Sequence, residues 1–263
     1  MIFTEKSRER RHIMKYFILF LVAILPSFVF GSDSHQKEHS SHWSYAGESG
    51  PGHWSKLNAD FHACSDGHQQ SPVDLKWTKA KGSRILDFHY NAAPVTVVDN
   101  GHTIQVNIAP GSYAVIDGKR YELAQFHFHA LSEHTFSGKH FPLEAHFVHK
   151  DKNGKLAVVG VMFQSGKHNE ELSKIFSHIP KTPETEKKID IAFNPAVLMP
   201  KTKTHYQYSG SLTTPPCSEG VNWTVLNSPM EISSEQIGVF NNYYSSNYRP
   251  IQTLHERKPA NFY

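Results

Sequence analysis

Alternating apolar and polar residues predict β-strands through the middle of the chain. The predicted strands with this period of two lie at 95–97, 104–108, 121–130 and 144–149. Asn100-Gly101 separates the first two strands and is typical of a type I′ hairpin turn, and a loop that contains Gly138 joins the last two. The run LAVVGVMF at 156–163 is continuously apolar, which indicates a central strand buried on both faces.

Helical spacing occurs in two short segments. The first has apolar residues at positions i, i+3, i+4 and i+7, namely Leu172, Ile175, Phe176 and Ile179. The second begins with a capping box at 233–236, SSEQ, which precedes Ile237 and Phe240. Many strands and few helices predict a mainly β, single-domain fold with a large, mostly antiparallel, central twisted sheet and a few peripheral helices.

The first 31 residues have the pattern of a secretory signal peptide. A basic segment ends at Lys15, an apolar run follows at 16–30, and the small residue Gly31 precedes the predicted cleavage site. The run is shorter than the roughly 20 apolar residues of a membrane span, so we expect no stable span after cleavage; an uncleaved anchor is the alternative. Residues 32–42 predict a flexible polar lead and residues 43–263 one domain. That domain is expected to be exported to the periplasm or the extracellular space.

The balance of charges argues against a nucleic-acid partner. The 263 residues include 27 Lys or Arg and 24 Asp or Glu, and without the first 31 residues these numbers become 22 and 22. A neutral domain with no basic run lacks the electrostatic footprint of a nucleic-acid binder. The 19 histidines are unusual, because histidine is the commonest metal ligand and also titrates near neutral pH. The sequence does not indicate an oligomeric state.

The chain has two cysteines, Cys64 and Cys217. In an oxidising compartment such a pair is typical of one disulfide, and two unpaired buried thiols are the alternative. Their spacing is not that of a metal site, so we do not expect them to be metal ligands.

The most informative segments are QFHFH at 125–129 and EAH at 144–146. Residues i and i+2 of a strand share a face, so His127 and His129 are predicted on the same face. If the next strand pairs with this one as a hairpin, His146 comes alongside both. Three imidazoles with an open fourth position form a catalytic zinc site, whereas a structural site has four protein ligands.

Two polar residues are placed to orient these ligands. Gln125 and Glu144 each lie two residues from a predicted ligand on the same strand face, where they can accept the second imidazole N–H. His134 and His149 are predicted to be core histidines with satisfied hydrogen bonds rather than ligands.

Four separated motifs resemble the signature of the α-class carbonic anhydrases. They are QFHFH at 125–129, SEHTF at 132–136, LEAHFV at 143–148, and GSLTTPP at 210–216 followed by VNW at 221–223. The motifs occur in the right order, and the resemblance extends over residues 43–262. It implies a zinc enzyme, a lyase, that hydrates carbon dioxide reversibly to bicarbonate and a proton by attack of zinc-bound hydroxide.

The resemblance also implies roles for individual residues in the reaction. It makes His127, His129 and His146 the zinc ligands. Thr213 accepts a hydrogen bond from the hydroxide and donates its own proton to Glu133. His102 would be the proton shuttle, and the residues that order the water path to it are Tyr45, Asn100 and Gln105. The best-known animal members carry Asn where this chain has Gln105.

Further roles concern the pocket and its support. The resemblance implies a substrate pocket formed by Thr214 and by an apolar wall of Val148, Val158, Leu212, Val221 and Trp223. It implies that the carbonyl of Asn247 receives the second N–H of His129. It also implies a disulfide, since Cys64 and Cys217 fall where secreted members of the family carry one.

Two other interpretations are open at this point. The spacing of His127, His129 and Glu133 satisfies the core of a cupin motif, but Tyr121 stands in place of its glycine and no second motif follows. A cupin-type metalloenzyme would have Glu133 on the metal. A catalytically silent carbonic anhydrase-like binding protein is the second alternative, although such relatives have lost a ligand histidine and this chain keeps all three.

Overall fold

The computed structural model describes residues 42–263, and most of their regular structure is β-strand. Fourteen strands lie within these residues: β1 (Asp74–Leu75), β2 (Leu86–His89), β3 (Ala93–Asp99), β4 (Ile104–Ile108), β5 (Tyr113–Ile116), β6 (Lys119–His129), β7 (Thr135–Phe136), β8 (Leu143–Lys150), β9 (Leu156–Ser165), β10 (Thr185–Phe193), β11 (His205–Ser211), β12 (Glu219–Leu226), β13 (Met230–Ile232) and β14 (Ala260–Phe262). The predicted signal peptide at 1–31 and residues 32–41 of the predicted lead fall outside the described residues.

Twelve of the strands described in 42–263 form one sheet. Its main order is β10-β3-β4-β6-β8-β9-β12-β11-β14. In addition, β5 pairs with β6, β2 pairs with β5, and β13 pairs with β9. The pairings are antiparallel except those of β9 with β12 and β13, and β1 pairs with β7 separately in parallel. The prediction of a large, mostly antiparallel sheet is confirmed.

Four short α-helices lie around the sheet in this part of the chain: α1 (Trp54–Leu57), α2 (Ala63–Asp66), α3 (Glu170–Phe176) and α4 (Ser234–Asn241). Three 3-10 turns accompany them, at Gly47–Ser49, Ala59–Phe61 and Pro195–Leu198. The capping box predicted for α4 is present, with Ser233 and Gln236 each bonded to the other's backbone. α3 ends before Ile179, so the predicted helix is one turn too long, although Ile179 is still buried. None of the helices in 42–263 is long and apolar enough to span a membrane.

The sheet separates two apolar layers. Alternate residues of β9 belong to different clusters: Val159 and Val161 pack with α3 and α4, whereas Val158 and Met162 pack with Trp223 on the opposite face. The predicted central strand is therefore buried on both faces, as its unbroken apolar run indicated.

The predicted hairpin of β3 and β4 is present, but its turn is longer than a type I′ turn. Asp99 pairs with Ile104, so the loop has four residues, 100–103. The side-chain oxygen of Asn100 accepts the backbone N–H groups of His102 and Thr103, and Gly101 has a φ of 82°. These hydrogen bonds of the Asn100 side chain favour the four-residue loop over a two-residue type I′ turn. The Asn-Gly sequence alone does not show which of the two forms.

Candidate metal centre

Three histidines converge on one face of the sheet because β6 and β8 pair in a fixed register. His127 lies directly opposite His146, and His129 opposite Glu144. Phe126 and Phe128, which alternate with the two histidines along β6, lie in the apolar layer on the opposite face of the sheet. A slip of one residue would exchange the phenyl rings with the imidazoles, so burial of the phenylalanines fixes which way the histidines point.

The imidazoles are close enough to share one ion. One ring nitrogen from each of His127, His129 and His146 lies within 4.8 Å of the others, and ring centroids are 5.0, 5.4 and 4.5 Å apart. His129 Nε2 is buried and has no hydrogen-bond partner among residues 42–263. A buried nitrogen without a partner costs free energy unless a ligand occupies it, so this donor set fits a divalent cation such as Zn²⁺.

The outer nitrogen of each ring lies close to an oxygen atom. His127 Nδ1 lies 2.8 Å from Gln125 Oε1, and His129 Nδ1 lies 2.7 Å from the carbonyl of Asn247. His146 Nε2 lies 2.9 Å from Glu144 Oε1. Because Gln125 and Asn247 accept hydrogen bonds, the outer nitrogens of His127 and His129 carry the protons and their inner nitrogens keep lone pairs for a metal. The contact of His146 with Glu144 has an ion-pair distance but not the geometry of a hydrogen bond. Gln125, Glu144 and Asn247 thus lie beside the three imidazoles, and their role in orienting metal ligands stays a prediction.

Electrostatics keep two of the three ligands neutral. Burial, reinforced by the neighbouring imidazoles, holds the pKa of His127 well below its ordinary value, and burial also lowers the pKa of His129. Burial likewise opposes protonation of His146, but the carboxylate of Glu144 outweighs it and raises the pKa of His146. Burial alone would raise the pKa of Glu144, but its charge interactions with His134 and His146 outweigh burial and hold this pKa well below its usual range.

Glu144 is fixed by a buried network beside the cluster. His134 donates its backbone N–H to Glu144 Oε2 over 2.9 Å, and His134 Nδ1 lies 2.8 Å from Oε1. On the other side of the ring, His134 Nε2 lies 2.6 Å from the hydroxyl of Tyr208. Gly160 faces the carboxylate, and a Cβ at that position would lie 2.8 Å from Glu144 Oε1.

The two predicted core histidines differ in their hydrogen bonds. Both ring nitrogens of His134 are bonded. His149 Nε2 lies 2.7 Å from the hydroxyl of Tyr90, but its buried Nδ1 has no partner among residues 42–263.

Glu133 is buried next to the same centre. Its Oε1 accepts the backbone N–H of Arg249 over 2.8 Å, and its Oε2 has no hydrogen-bond partner among the residues that the structure describes. Thr213 is also buried. The hydrogen bond from Thr213 to Glu133 therefore stays a prediction, with Oε2 as the acceptor still available for it.

The five predicted wall residues belong to one apolar cluster on the histidine face of the sheet. They are Val148, Val158, Leu212, Val221 and Trp223. The indole of Trp223 meets the ring of His146 edge-on, with centroids 4.9 Å apart. The apolar wall therefore reaches the edge of the histidine cluster.

A cavity of about 130 Å³ connects the cluster to His102. Its lining includes His127 and His129, His102 and Trp43, and also Tyr45, Asn100, Gln105 and Thr214. Asn100 Nδ2 lies 3.4 Å from Gln105 Oε1, so Gln105 supplies the amide that the sequence comparison placed there. Burial, with a contribution from Glu133, raises the pKa of Tyr45 well above its usual value, so its hydroxyl stays protonated at neutral pH.

The structure also shows two contacts near the site that the sequence did not indicate. The indole of Trp43 stacks on the imidazole of His102. Arg249 is buried, and its guanidinium donates to Gln70 Oε1 and to the carbonyls of Cys64 and Ser71. Arg249 lies two residues after Asn247, but no local pattern distinguishes a buried arginine from a surface one.

The disulfide between Cys64 and Cys217 is present. It joins α2 to the loop that follows Thr214, whose carbonyl accepts the backbone N–H of Cys217 over 2.9 Å. The cross-link therefore holds the loop that carries Thr213 and Thr214 against the first helices.

Comparison with known proteins identifies a family. A family model described as eukaryotic-type carbonic anhydrase matches residues 49–260. A carbonic anhydrase of Klebsiella pneumoniae is 44% identical over 221 residues, which cover 83% of this chain and 90% of the relative. A carbonic anhydrase of Nostoc sp. is 38% identical over 254 residues, 94% of this chain and 96% of the relative.

Solved structures agree with this match. The α-carbonic anhydrase of Thermovibrio ammonificans in complex with sulfanilamide superposes with a TM-score of 0.81 at 46% identity, covering 84% of this chain and 99% of that chain. Dioscorin complexed with ascorbate superposes with a TM-score of 0.78 at 28% identity, covering 84% and 98%.

Proposed function

The chain belongs to the eukaryotic-type carbonic anhydrase family, and from this premise we propose that it hydrates carbon dioxide reversibly with Zn²⁺ held by His127, His129 and His146. The chain is a carbonic anhydrase, a lyase that acts on a small molecule. The single observation that carries the zinc proposal is the convergence of three imidazoles, each of which has its outer nitrogen within 2.9 Å of an oxygen atom.

The ligand set suits the reaction because it is neutral. Three imidazoles add no negative charge, so the full charge of the cation remains available. Zn²⁺ bound there supplies Lewis acidity that lowers the pKa of a bound water toward neutrality, as is established for carbonic anhydrases. Gln125, Glu144 and the carbonyl of Asn247 keep the three rings oriented towards it.

Thr213 and Glu133 orient the nucleophile. A carboxylate only accepts hydrogen bonds, so the hydroxyl of Thr213 donates to Glu133 Oε2 and must itself accept from the attacking oxygen. One lone pair of that oxygen is then directed at the substrate. The buried position of both side chains supports this role.

The apolar wall binds the substrate. Carbon dioxide has no net charge or dipole, so valine, leucine and tryptophan side chains suffice to hold it, and bicarbonate, being charged, is less well accommodated. The wall cluster adjoins His146, which is the position needed for attack on the carbon.

His102 transfers the proton out of the site. The cavity that links His127 to His102 is lined by the polar groups of Tyr45, Asn100 and Gln105, and these can order a chain of waters. A half-buried imidazole at the mouth of such a cavity accepts a proton from the inside and releases it to buffer.

A metal assay combined with kinetics tests the proposal. The mature protein is expected to contain one zinc per chain, and His146→Ala to lose both zinc and carbon dioxide hydration in stopped-flow while keeping its β-sheet circular dichroism. Iron or manganese at full occupancy, with the zinc form inactive, contradicts the zinc proposal and favours cupin-type chemistry. A catalytically silent binding protein is favoured instead if the zinc-loaded wild-type protein does not hydrate carbon dioxide.

The geometry argues against the cupin alternative. Glu133 Oε1 lies 3.6 Å from His129 Nδ1, and Oε2 lies 3.8 Å from His146 Nδ1. Glu133 is nevertheless not among the residues whose ligand atoms all lie within 4.8 Å of one another, which are His127, His129 and His146. This supports a place for Glu133 beside the ligands rather than among them.

We also propose export to the periplasm or the extracellular space, with cleavage after Gly31. The disulfide in the described part of the chain supports an oxidising compartment, and the pattern of residues 1–31 supports a signal peptide. N-terminal sequencing of the secreted protein should begin at Ser32. Recovery of the protein with an intact residue 1–31 segment in the cytoplasm contradicts this proposal.

A further inference from the structure

Two exposed histidines face each other in a surface cleft that is separate from the catalytic cavity. His68 lies in the segment before β1, and His255 lies in the turn at 254–257. The cleft has a volume of about 490 Å³, and its lining also includes Gln69, Glu256 and Arg257. Within residues 42–263 no hydrogen bond occupies either imidazole ring, so their ring nitrogens are available to a ligand from solvent.

The spacing and inclination of these two rings are close to those of one histidine pair in the catalytic cluster. The centroids of His68 and His255 are 5.1 Å apart and their planes are inclined by 61°. The corresponding values for His127 and His129 are 5.0 Å and 70°. Two imidazoles in this relation can direct one nitrogen each at a common ion.

The backbone of the turn holds His255 in place. Its φ is 50°, in the left-handed region that residues other than glycine seldom adopt. The turn is closed by a hydrogen bond of 3.0 Å from the N–H of Arg257 to the carbonyl of Leu254. The position of His255 is therefore set by the turn and does not depend on contacts of its own side chain.

The charges around the cleft allow a cation to bind. The guanidinium of Arg257 is committed to backbone carbonyls of Leu254, Thr253 and Ser209. Two carboxylates oppose its charge: Glu256 lines the cleft, and Glu219 accepts the N–H of Gln69 over 2.6 Å. The two acidic groups outnumber the one basic group.

We propose that His68 and His255 form a second metal site for a borderline first-row divalent cation such as Ni²⁺, Cu²⁺ or Zn²⁺. Imidazole nitrogens select these ions over Mg²⁺ and Ca²⁺, which prefer oxygen ligands. Solvent water completes the coordination, so the site binds more weakly than the buried three-histidine centre. The cation is additional to the catalytic one, because neither histidine touches the catalytic cavity.

Titration of the zinc-loaded mature protein with Ni²⁺, followed by ¹H–¹⁵N NMR, tests this site. Paramagnetic broadening is expected to centre on the amides of Gln69 and Glu256. His68→Gln and His255→Gln should each weaken this binding by about 100-fold, since one imidazole cannot chelate alone. Both variants should keep one catalytic zinc and wild-type carbon dioxide hydration.

Two controls separate this site from other histidines. His168→Gln, at another exposed position, should leave the broadening at Gln69 unchanged. A variant in which His35, His39 and His42 are all replaced should also keep it. The proposal is overturned if wild type shows no broadening at Gln69 and Glu256, or if the broadening survives either His68→Gln or His255→Gln.

Discussion

The imidazole of His102 stacks face to face on the indole of Trp43, with centroids 3.6 Å apart and planes inclined by 11°. Both rings line the cavity that also contacts His127 and His129, and the indole covers one face of the predicted shuttle. Burial, and then the nearby imidazole of His42, lowers the pKa of His102 below its ordinary value, while Glu184 opposes the change. The shuttle therefore releases its proton more readily than a fully exposed histidine.

Replacing His102 should separate the two halves of the catalytic cycle. His102→Ala is expected to lower kcat and leave kcat/KM for hydration nearly unchanged, because bicarbonate forms before the proton leaves. Stopped-flow assays at low and high imidazole concentration check this, since a diffusible base replaces the missing relay. If kcat at low buffer equals that of wild type, His102 is only a loop residue.

Removing the indole should raise the pKa of the shuttle. Trp43→Ala exposes one face of His102 to water and so reduces the burial that is the largest cause of its lowered pKa, and its titration midpoint should move up towards about 6.5. NMR titration of the imidazole C–H signals, assigned with His102→Ala, measures the shift. Trp77→Ala, which removes an exposed indole elsewhere, is the matched control. A midpoint that stays in place after Trp43→Ala contradicts the role given to the stack.

The histidine trio could be predicted from sequence because strand alternation is a local property. The spacing of His127 and His129, together with the adjacent phenylalanines, fixes the face of the strand before any partner is known. Arg249 could not be predicted in this way. Its guanidinium bonds to the carbonyl of Cys64, 185 positions away, and burial that lowers its pKa to about 10 arises only when distant segments meet. The stack of Trp43 on His102 is likewise a tertiary contact with no local signal.

Loss of the hydroxyl of Thr213 should slow the chemical step without releasing the metal. Thr213→Ala removes the acceptor that orients the attacking oxygen, and loss of one such hydrogen bond costs roughly 10²–10³ in rate. Thr213→Ser keeps a hydroxyl and should recover most of kcat/KM. Zinc content by atomic absorption should equal that of wild type in both variants. Normal turnover in Thr213→Ala would show that this orientation is not used.

A methyl group at Gly160 should disturb the metal through Glu144. The added Cβ would lie 2.8 Å from Glu144 Oε1, and Glu144 cannot move without losing its bonds to His134 and its contact with His146. Gly160→Ala is therefore expected to weaken zinc binding by roughly 10–100-fold, as measured by competition with a chelator.

The matched control for this change is Gly238→Ala in α4. This glycine is exposed and has no neighbouring atom within 4 Å of an added Cβ. Alanine in a helix interior is favoured over glycine by up to about 1 kcal/mol, so this variant should be slightly more stable and bind zinc normally. Equal zinc affinities in both variants would remove the role assigned to the Glu144 network.

Acid should destabilise the fold through His149. This imidazole is buried, which lowers its pKa to about 4 in the folded protein, whereas the unfolded value is about 6.5. Between these values the unfolded chain binds a proton that the folded chain excludes, so the free energy of unfolding falls as the pH drops from about 6.5 to about 4. The shift corresponds to a loss of about 3 kcal/mol at the acid end.

His149→Gln should reduce this loss, because Gln does not titrate and its amide oxygen can still accept the hydroxyl proton of Tyr90, which now lies 2.7 Å from His149 Nε2. Urea unfolding at pH 7.5 and pH 4.5 should show a smaller difference in the variant than in wild type, by about 2 to 3 kcal/mol. Both proteins share the zinc site, so acid release of the metal cancels in this comparison. His168→Gln, at an exposed position, controls for the loss of one imidazole. If His149→Gln loses as much stability as wild type over the same pH range, the buried imidazole is not the source of the acid sensitivity.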